Sequence, residues 1–282
     1  MILASFLFVL FGLTGIYAGD DDSLINREDS PIQFFGEYET GFFGVTGHTL
    51  QIGDSGTNFN YVTQGGQDIL LPFERFTVGA TLYDRHRISL LYQPLEVNTQ
   101  VNFRDPVTID DVTFASGTAM NLKYGFPFYR VSYSYDVIDD PDLVLGVGAA
   151  LQIRDASIVF SSVDGEDLTV SQNVGPVPAL HIYSRWELPS GINLSADITG
   201  LYASSAIING ASFEFEGSIL DASLRMGYRL KHDMELFGNL RFLGGTATGT
   251  SEYDNSSWSE SIEQYTSNNL GTVSATVGLT IR

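Results

Sequence analysis

From residue 33 onward apolar side chains recur at every second position, the period of an extended strand with two unlike faces. In "FYRVSYSYDV" (128–137), Tyr129, Val131, Tyr133 and Tyr135 share one face, and Phe128, Arg130, Ser132 and Ser134 share the other. Residues 142–154 set Leu143, Leu145, Val147, Ala149, Leu151 and Ile153 against Gln152 and Arg154. Further on, Leu220, Ala222, Leu224, Met226 and Tyr228 oppose Asp221, Ser223, Arg225 and Arg229, and Val273, Ala275, Val277, Leu279 and Ile281 oppose Thr272, Ser274, Thr276 and Thr280. Tight polar turns interrupt the pattern at "YDRHR" (83–87), "IDDPD" (138–142), "LPSG" (188–191) and "LKHDM" (230–234).

Four hairpins follow: 73–83 with 87–98, 118–136 with 142–158, 177–187 with 191–205, and 215–229 with 233–245. Segments 33–47 and 270–282 bring the total to about ten strands, within a range of about eight to twelve. The connections between hairpins, 48–72, 99–117, 159–176, 206–214 and 246–269, are longer and rich in Gly, Asp and Ser. Short turns therefore lie on one side and long loops on the other, the asymmetry of an up-and-down antiparallel barrel.

Alternation alone does not name the solvent, because a soluble sandwich alternates too. Strand length and the placement of arginine separate the two. Strands of eleven or more residues match the ~9–11 tilted residues that cross a bilayer, where globular strands run to about 5–6. Of the 14 basic residues, all but Lys123 and Lys231 are arginine, and many stand mid-strand on the polar face: Arg75, Arg130, Arg154, Arg185, Arg225, Arg229 and Arg241. Glu187, Asp197, Asp221 and Glu235 accompany them. A planar cation with several donors suits an enclosed lumen where acceptors must be shared. The opposite rows, Tyr129, Val131, Tyr133, Tyr135, Leu145, Val147, Leu151, Leu224, Tyr228 and Val277, are then expected to face lipid, with Tyr133 and Tyr135 in an aromatic girdle at the short-turn rim. The expected fold is all-β: a transmembrane antiparallel up-and-down β-barrel over 33–282.

Charge and the N-terminus narrow the function classes. A formal net charge of -20 excludes a nucleic-acid partner, which needs a basic surface. The absence of cysteine excludes disulfides and thiolate metal sites. The run "MILASFLFVLFGLTGIYA" (1–18) reads as an export signal, and an acidic segment, 19–32, separates it from the barrel. As an anchor the apolar run is short of the ~18–20 residues a spanning helix needs.

Taken together, the leader, the amphipathic strands, the short turns, the long acidic loops and the terminal strand "LGTVSATVGLTIR" resemble bacterial outer-membrane β-barrel proteins over 33–282. The stretches "QIRDASIVF" (152–160) and "GPVPAL" (175–180) are similar to motifs of an uncharacterised barrel family. The resemblance implies an outer-membrane location with the bilayer as partner, and it implies a terminal aromatic residue where this chain has Arg282.

About ten strands enclose little room, since eight already leave only packing space. The expected lumen is therefore largely occluded by its arginines and acids, giving a structural or binding protein rather than an enzyme, with an extracellular ligand or protein engaged at the long loops. The alternative is a narrow channel in which Arg130, Arg154, Arg185, Arg225 and Arg241 set a preference for small anions. A rim hydrolase, with an architecture similar to omptin proteases or lipid A deacylases, is the third reading. For it His181, the one mid-strand histidine on the inward face, would need a partner such as Ser184 or Asp197, and Ser184 has the wrong parity. His48, His86 and His232 are not placed in any site. The carboxylate groups at 20–22 and 138–142 lack calcium-loop spacing, so no metal or cofactor is expected.

Overall fold

The computed structural model describes residue 25 and residues 30–204, 215–253 and 262–282. Residues 1–18, expected to be an export signal, and most of the acidic segment lie outside the described residues. Within them every regular element is a strand. Ten of these form the wall: β1 (Ile32–Ile52), β3 (Leu70–Leu82), β4 (His86–Gln93), β9 (Phe128–Asp140), β10 (Leu143–Ser162), β11 (Leu168–Glu187), β12 (Ile192–Ser204), β13 (Phe215–Arg229), β14 (Met234–Tyr253) and β15 (Ile262–Ile281). Each is antiparallel to its neighbours in that order, and β15 closes on β1 with Leu279 opposite Tyr38. A paired row starting at Ile153 runs through Tyr129, Tyr92, Phe76, Tyr38, Leu279, Leu236 and Tyr228 and ends at Ile192, beside a short turn. That descent from the loop side to the turn side is the tilt that closure demands.

Two of the short turns carry consecutive non-glycine residues at positive φ, Tyr83 with Asp84 and His232 with Asp233. This left-handed pair is the backbone of the turn that matches the twist of a tight hairpin. On the outside, exposed apolar residues recur at alternate positions of the strands, from Phe34 and Tyr135 near the turns to Phe42, Tyr129 and Ile153 near the loops. Of the ten residues expected to face lipid, nine are exposed and Leu145 is half-buried.

The long connections depart from expectation. Residues 159–176, read as a loop, instead complete the β10–β11 hairpin, with Ser161 opposite Leu168. Much of 246–269 likewise extends β14 and β15, with Tyr253 opposite Ile262. In the upper parts of β14 and β15 the residues on both faces are mostly small or polar, so the period-two signal vanishes there while the backbone ladder continues, whereas the top of β10 turns Ile158 and Phe160 into the cap. The strand expected at 118–136 is broken in two. Pro127, which has no N–H to donate, separates β8 (Ala119–Gly125) from β9, and Pro94 separates β4 from β5 (Glu96–Asn102). The Phe126 N–H donates to the Leu95 carbonyl across the two breaks (2.6 Å).

Above the breaks, β5 pairs with β8, β6 (Val107–Ile109) with β7 (Val112–Phe114), and β2 (Phe59–Asn60) with β1. Together they form a cap over the barrel mouth, where 48–72 and 99–117 were expected to be solvated loops. Its centre is apolar, with Leu50, Ile52, Phe59, Tyr61, Ile109, Phe114 and Phe160 all fully buried. Strands of two or three residues are too short to register as a period, which is why the cap was hidden in the sequence.

Candidate functional site

The barrel interior has two zones, charged below and apolar above. In the charged zone Asp221 of β13 is fully buried and is held by three guanidinium groups: Arg241 of β14 (2.7 Å), Arg130 of β9 (2.8 Å) and Arg75 of β3 (3.0 Å). Arg75 and Arg130 reach it from the far wall, so these pairs cross the lumen. Gln93 accepts from Arg75 Nε (2.9 Å) and Gln152 from Arg130 Nη2 (2.8 Å), which aims both guanidinium forks. Glu39 takes the second fork of Arg241 (3.2 Å) and the Asn239 amide (2.8 Å), and Thr276 donates to it as well. Charge-assisted bonds of this kind are stronger than neutral ones, and in a buried setting they fix geometry.

Nearer the turns, Arg225 binds Glu37 with both forks (2.6 and 2.7 Å) and stacks on the Phe237 ring (3.6 Å to its centroid). Glu235 is shared by Arg185 (2.9 Å) and Arg282 (3.2 Å), and Glu187 by Arg185 (2.6 Å) and Arg229 (3.2 Å). Gly227 leaves space for this layer, because a Cβ there would stand 2.6 Å from Glu235 Oε1 and 2.8 Å from Asn193 Oδ1. Arg282, where the resemblance implied an aromatic residue, thus closes a lumen ion pair.

The sequence-expected residues do not all converge. Arg154 reaches no carboxylate among the described residues. Its guanidinium lies over Phe126 (5.1 Å), and its Nε has no hydrogen-bond partner there. The reason is height, for Arg154 stands opposite Phe128 at the loop end of β9, where the interior has turned apolar. Asp197 pairs with His181 (2.9 Å) rather than with an arginine. Sequence reasoning missed Glu37, Glu39, Gln93 and Asn239. Glu37 and Glu39 share the inward parity of Phe35 and Phe43, and that signal was available.

The apolar zone begins with Phe43, Phe73, Leu91, Phe128 and Leu243 and passes into the cap. Here His48 lies beyond the register shift at Val45/Gly47 that ends the belt portion of β1. Its ring stacks on Tyr61 (4.2 Å), meets Tyr124 edge-on (4.2 Å) and is hydrogen-bonded through Nδ1 to Gln67 (2.7 Å). Burial pushes this imidazole down to about 4, against the opposing effect of the Gln67 bond. The unfolded chain, with its histidine near pKa ~6.5, therefore binds more protons than the folded cap between those values. Stability contributed by neutral His48 is complete above about pH 6.5 and is lost as the pH falls toward 4. Acidification from pH 7 to 4.5 is expected to speed proteolysis of the cap, and the His48→Gln protein should lose most of that pH dependence. Equal pH sensitivity of the two proteins would contradict it.

The ten-strand antiparallel cylinder closes through β15 on β1, its outward side chains form an apolar belt, and its buried charges lie in the lumen. These features define an outer-membrane-type transmembrane β-barrel of ten strands. Three solved barrels are similar to it. The outer membrane protease OmpT from Escherichia coli is 12% identical with a TM-score of 0.45, over 91% of this chain and 98% of that one. The transport unit of the autotransporter AIDA-I from Escherichia coli is 9% identical with a TM-score of 0.41, over 99% and 98%. A Pseudomonas aeruginosa FadL homologue is 9% identical with a TM-score of 0.39, over 93% and 92%. No protein-family model matches the chain, and no curated protein matches it.

Proposed function

We propose that this protein is a non-enzymatic outer-membrane barrel whose lumen is closed to ions and which acts as a structural or binding protein at the cell surface. The observation that carries the reading is Asp221, fully buried and braced by Arg75, Arg130 and Arg241 from three strands. Each of these arginines already has a carboxylate, so they are poorly placed to hand a passing anion from site to site. The apolar cap above them adds a second barrier, since hydrophobic constrictions exclude water and ions. A ligand-binding role is supported on the loop side by a groove of about 420 Å³ lined by Asn98, Gln100, Asn121, Lys123 and Ser161.

In planar bilayers the purified protein is expected to give no unitary current above leak. A reproducible anion-selective step would overturn this reading in favour of a narrow channel. The His181–Asp197 pair favours no hydrolase, because His181 and Asp197 face the barrel interior below the cap, away from the rim.

A further inference from the structure

At bilayer depth every main-chain N–H and C=O in a barrel has to find a partner within the protein. One stretch of wall lacks strand pairing on one side. On its β1 side, β3 is paired from Leu70 through Leu82, but on its β4 side only from Phe76 through Leu82. The edge from Leu70 to Arg75 is paired with no strand on that side. The cause is local: β4 stops at Gln93, Pro94 offers no N–H, and the chain that would have extended the wall becomes β5, paired with β8 instead. The window so left has a floor, the Arg75–Gln93 hydrogen bond, and a lintel, where the Thr99 hydroxyl donates to the Gly65 carbonyl (2.6 Å).

Between floor and lintel only side chains close the wall. Leu71 and Phe73 of β3, with Leu95 and Val97 from across the gap, belong to one apolar cluster, which extends to Leu243 on β14. Outside, Ile69 (55% exposed) and Leu70 (72%) carry the lipid-facing belt from Phe42 up to the window. The Glu96–Lys123 pair (2.9 Å) and Glu74, which accepts from the Tyr38 hydroxyl (2.9 Å), flank it on the outer surface.

We infer that this window is a lateral portal: a single hydrocarbon chain from the surrounding bilayer passes between β3 and β5 and lodges in the apolar cluster beneath the cap. The belt runs into the cluster without a break, which makes lipid the occupant. The polar groups outside the window stand where a headgroup would halt. The inference rests on the reading of a barrel closed to ions and supplies its ligand class. A hydrocarbon chain can enter a cluster that ions cannot cross, because it needs no polar partners there.

The test is quenching of single tryptophans by phosphatidylcholine vesicles with brominated acyl chains. The exported chain, with Trp186 and Trp258 replaced by Phe, is reconstituted carrying Phe42→Trp on the lipid face, Phe73→Trp in the window, Leu243→Trp at the far side of the cluster, or Phe237→Trp in the charged lumen. Phe42→Trp, Phe73→Trp and Leu243→Trp are expected to lose fluorescence to a similar extent, and Phe237→Trp to lose little. Because residues 237 and 243 lie on the inner face of the same strand, quenching through the wall would affect both and would overturn the portal. Bright fluorescence at 73 and 243 overturns it too, as does quenching at 73 alone, since the chain would then touch the window without entering. Should Phe73→Trp fail to fold, Leu95→Trp reads the window from β5. Unitary current in the planar-bilayer measurement would remove the closed-lumen reading and leave these intensities unchanged.

Discussion

Replacing Asp221 by Ala is expected to destabilise the barrel by about 3–5 kcal/mol, the cost of breaking a buried ion pair and leaving its partner unpaired. The cost should lie at the upper end of that range or above it, because three guanidinium groups lose their common acceptor at once. Glu39 would still serve Arg241, whereas Arg75 and Arg130 would keep only Gln93 and Gln152. Asp221→Asn keeps the shape and removes the charge, so a similar loss would assign the effect to electrostatics. Arg229→Ala is the comparison. Arg229 makes its pair to Glu187 at the exposed rim, and a surface pair is worth less than about 1 kcal/mol. Unfolding in urea, followed in detergent by heat-modifiable gel migration, measures all three. Equal midpoints for the Asp221→Ala and Arg229→Ala proteins would show that the lumen network does not brace the barrel.

The second large effect is expected on the outer face. Leu224 is 67% exposed in mid-belt, a position where water would welcome a charge and hydrocarbon would not. In a bilayer Leu224→Arg should cost roughly 2–4 kcal/mol, the penalty for a cation at the midplane of a barrel's lipid face. For a water-soluble sheet the same change would lie within about 0.5 kcal/mol of neutral. Folding yield into phosphatidylcholine vesicles, compared with that of Leu224→Ile, separates the two cases. Indifference to the arginine would place this face in water.

How much of this was legible in advance varies with height along the barrel. In the belt, each strand has one solvent of each kind, lipid outside and a polar lumen inside, so the sequence alternates and parity alone assigns Tyr129 outward and Arg130 inward. In the upper strands and the cap both conditions fail. Small and polar residues cover most of both faces at the tops of β14 and β15, and the cap strands β2, β6 and β7 are too short to repeat. Leu50, Phe59 and Phe114 therefore passed as loop residues. Pro94 and Pro127 were visible as letters, but nothing local said that one break would leave an opening in the wall while the other merely redirects a strand.

The sequence by itself determined the number of wall strands, their faces and their turns, since these follow from period, turn chemistry and the bilayer's thickness, all of which act over a few residues. The tertiary structure alone decided which charges meet. Asp221 and Arg130 are separated by much of the chain and by the width of the lumen, and closure of the cylinder brings them to 2.8 Å. Arg154, identical in its local pattern, stops a few rungs higher and finds a phenylalanine ring instead of a carboxylate. Parity fixes which way a side chain points, but barrel shear fixes the level at which it arrives, and shear is a property of the closed ring as a whole.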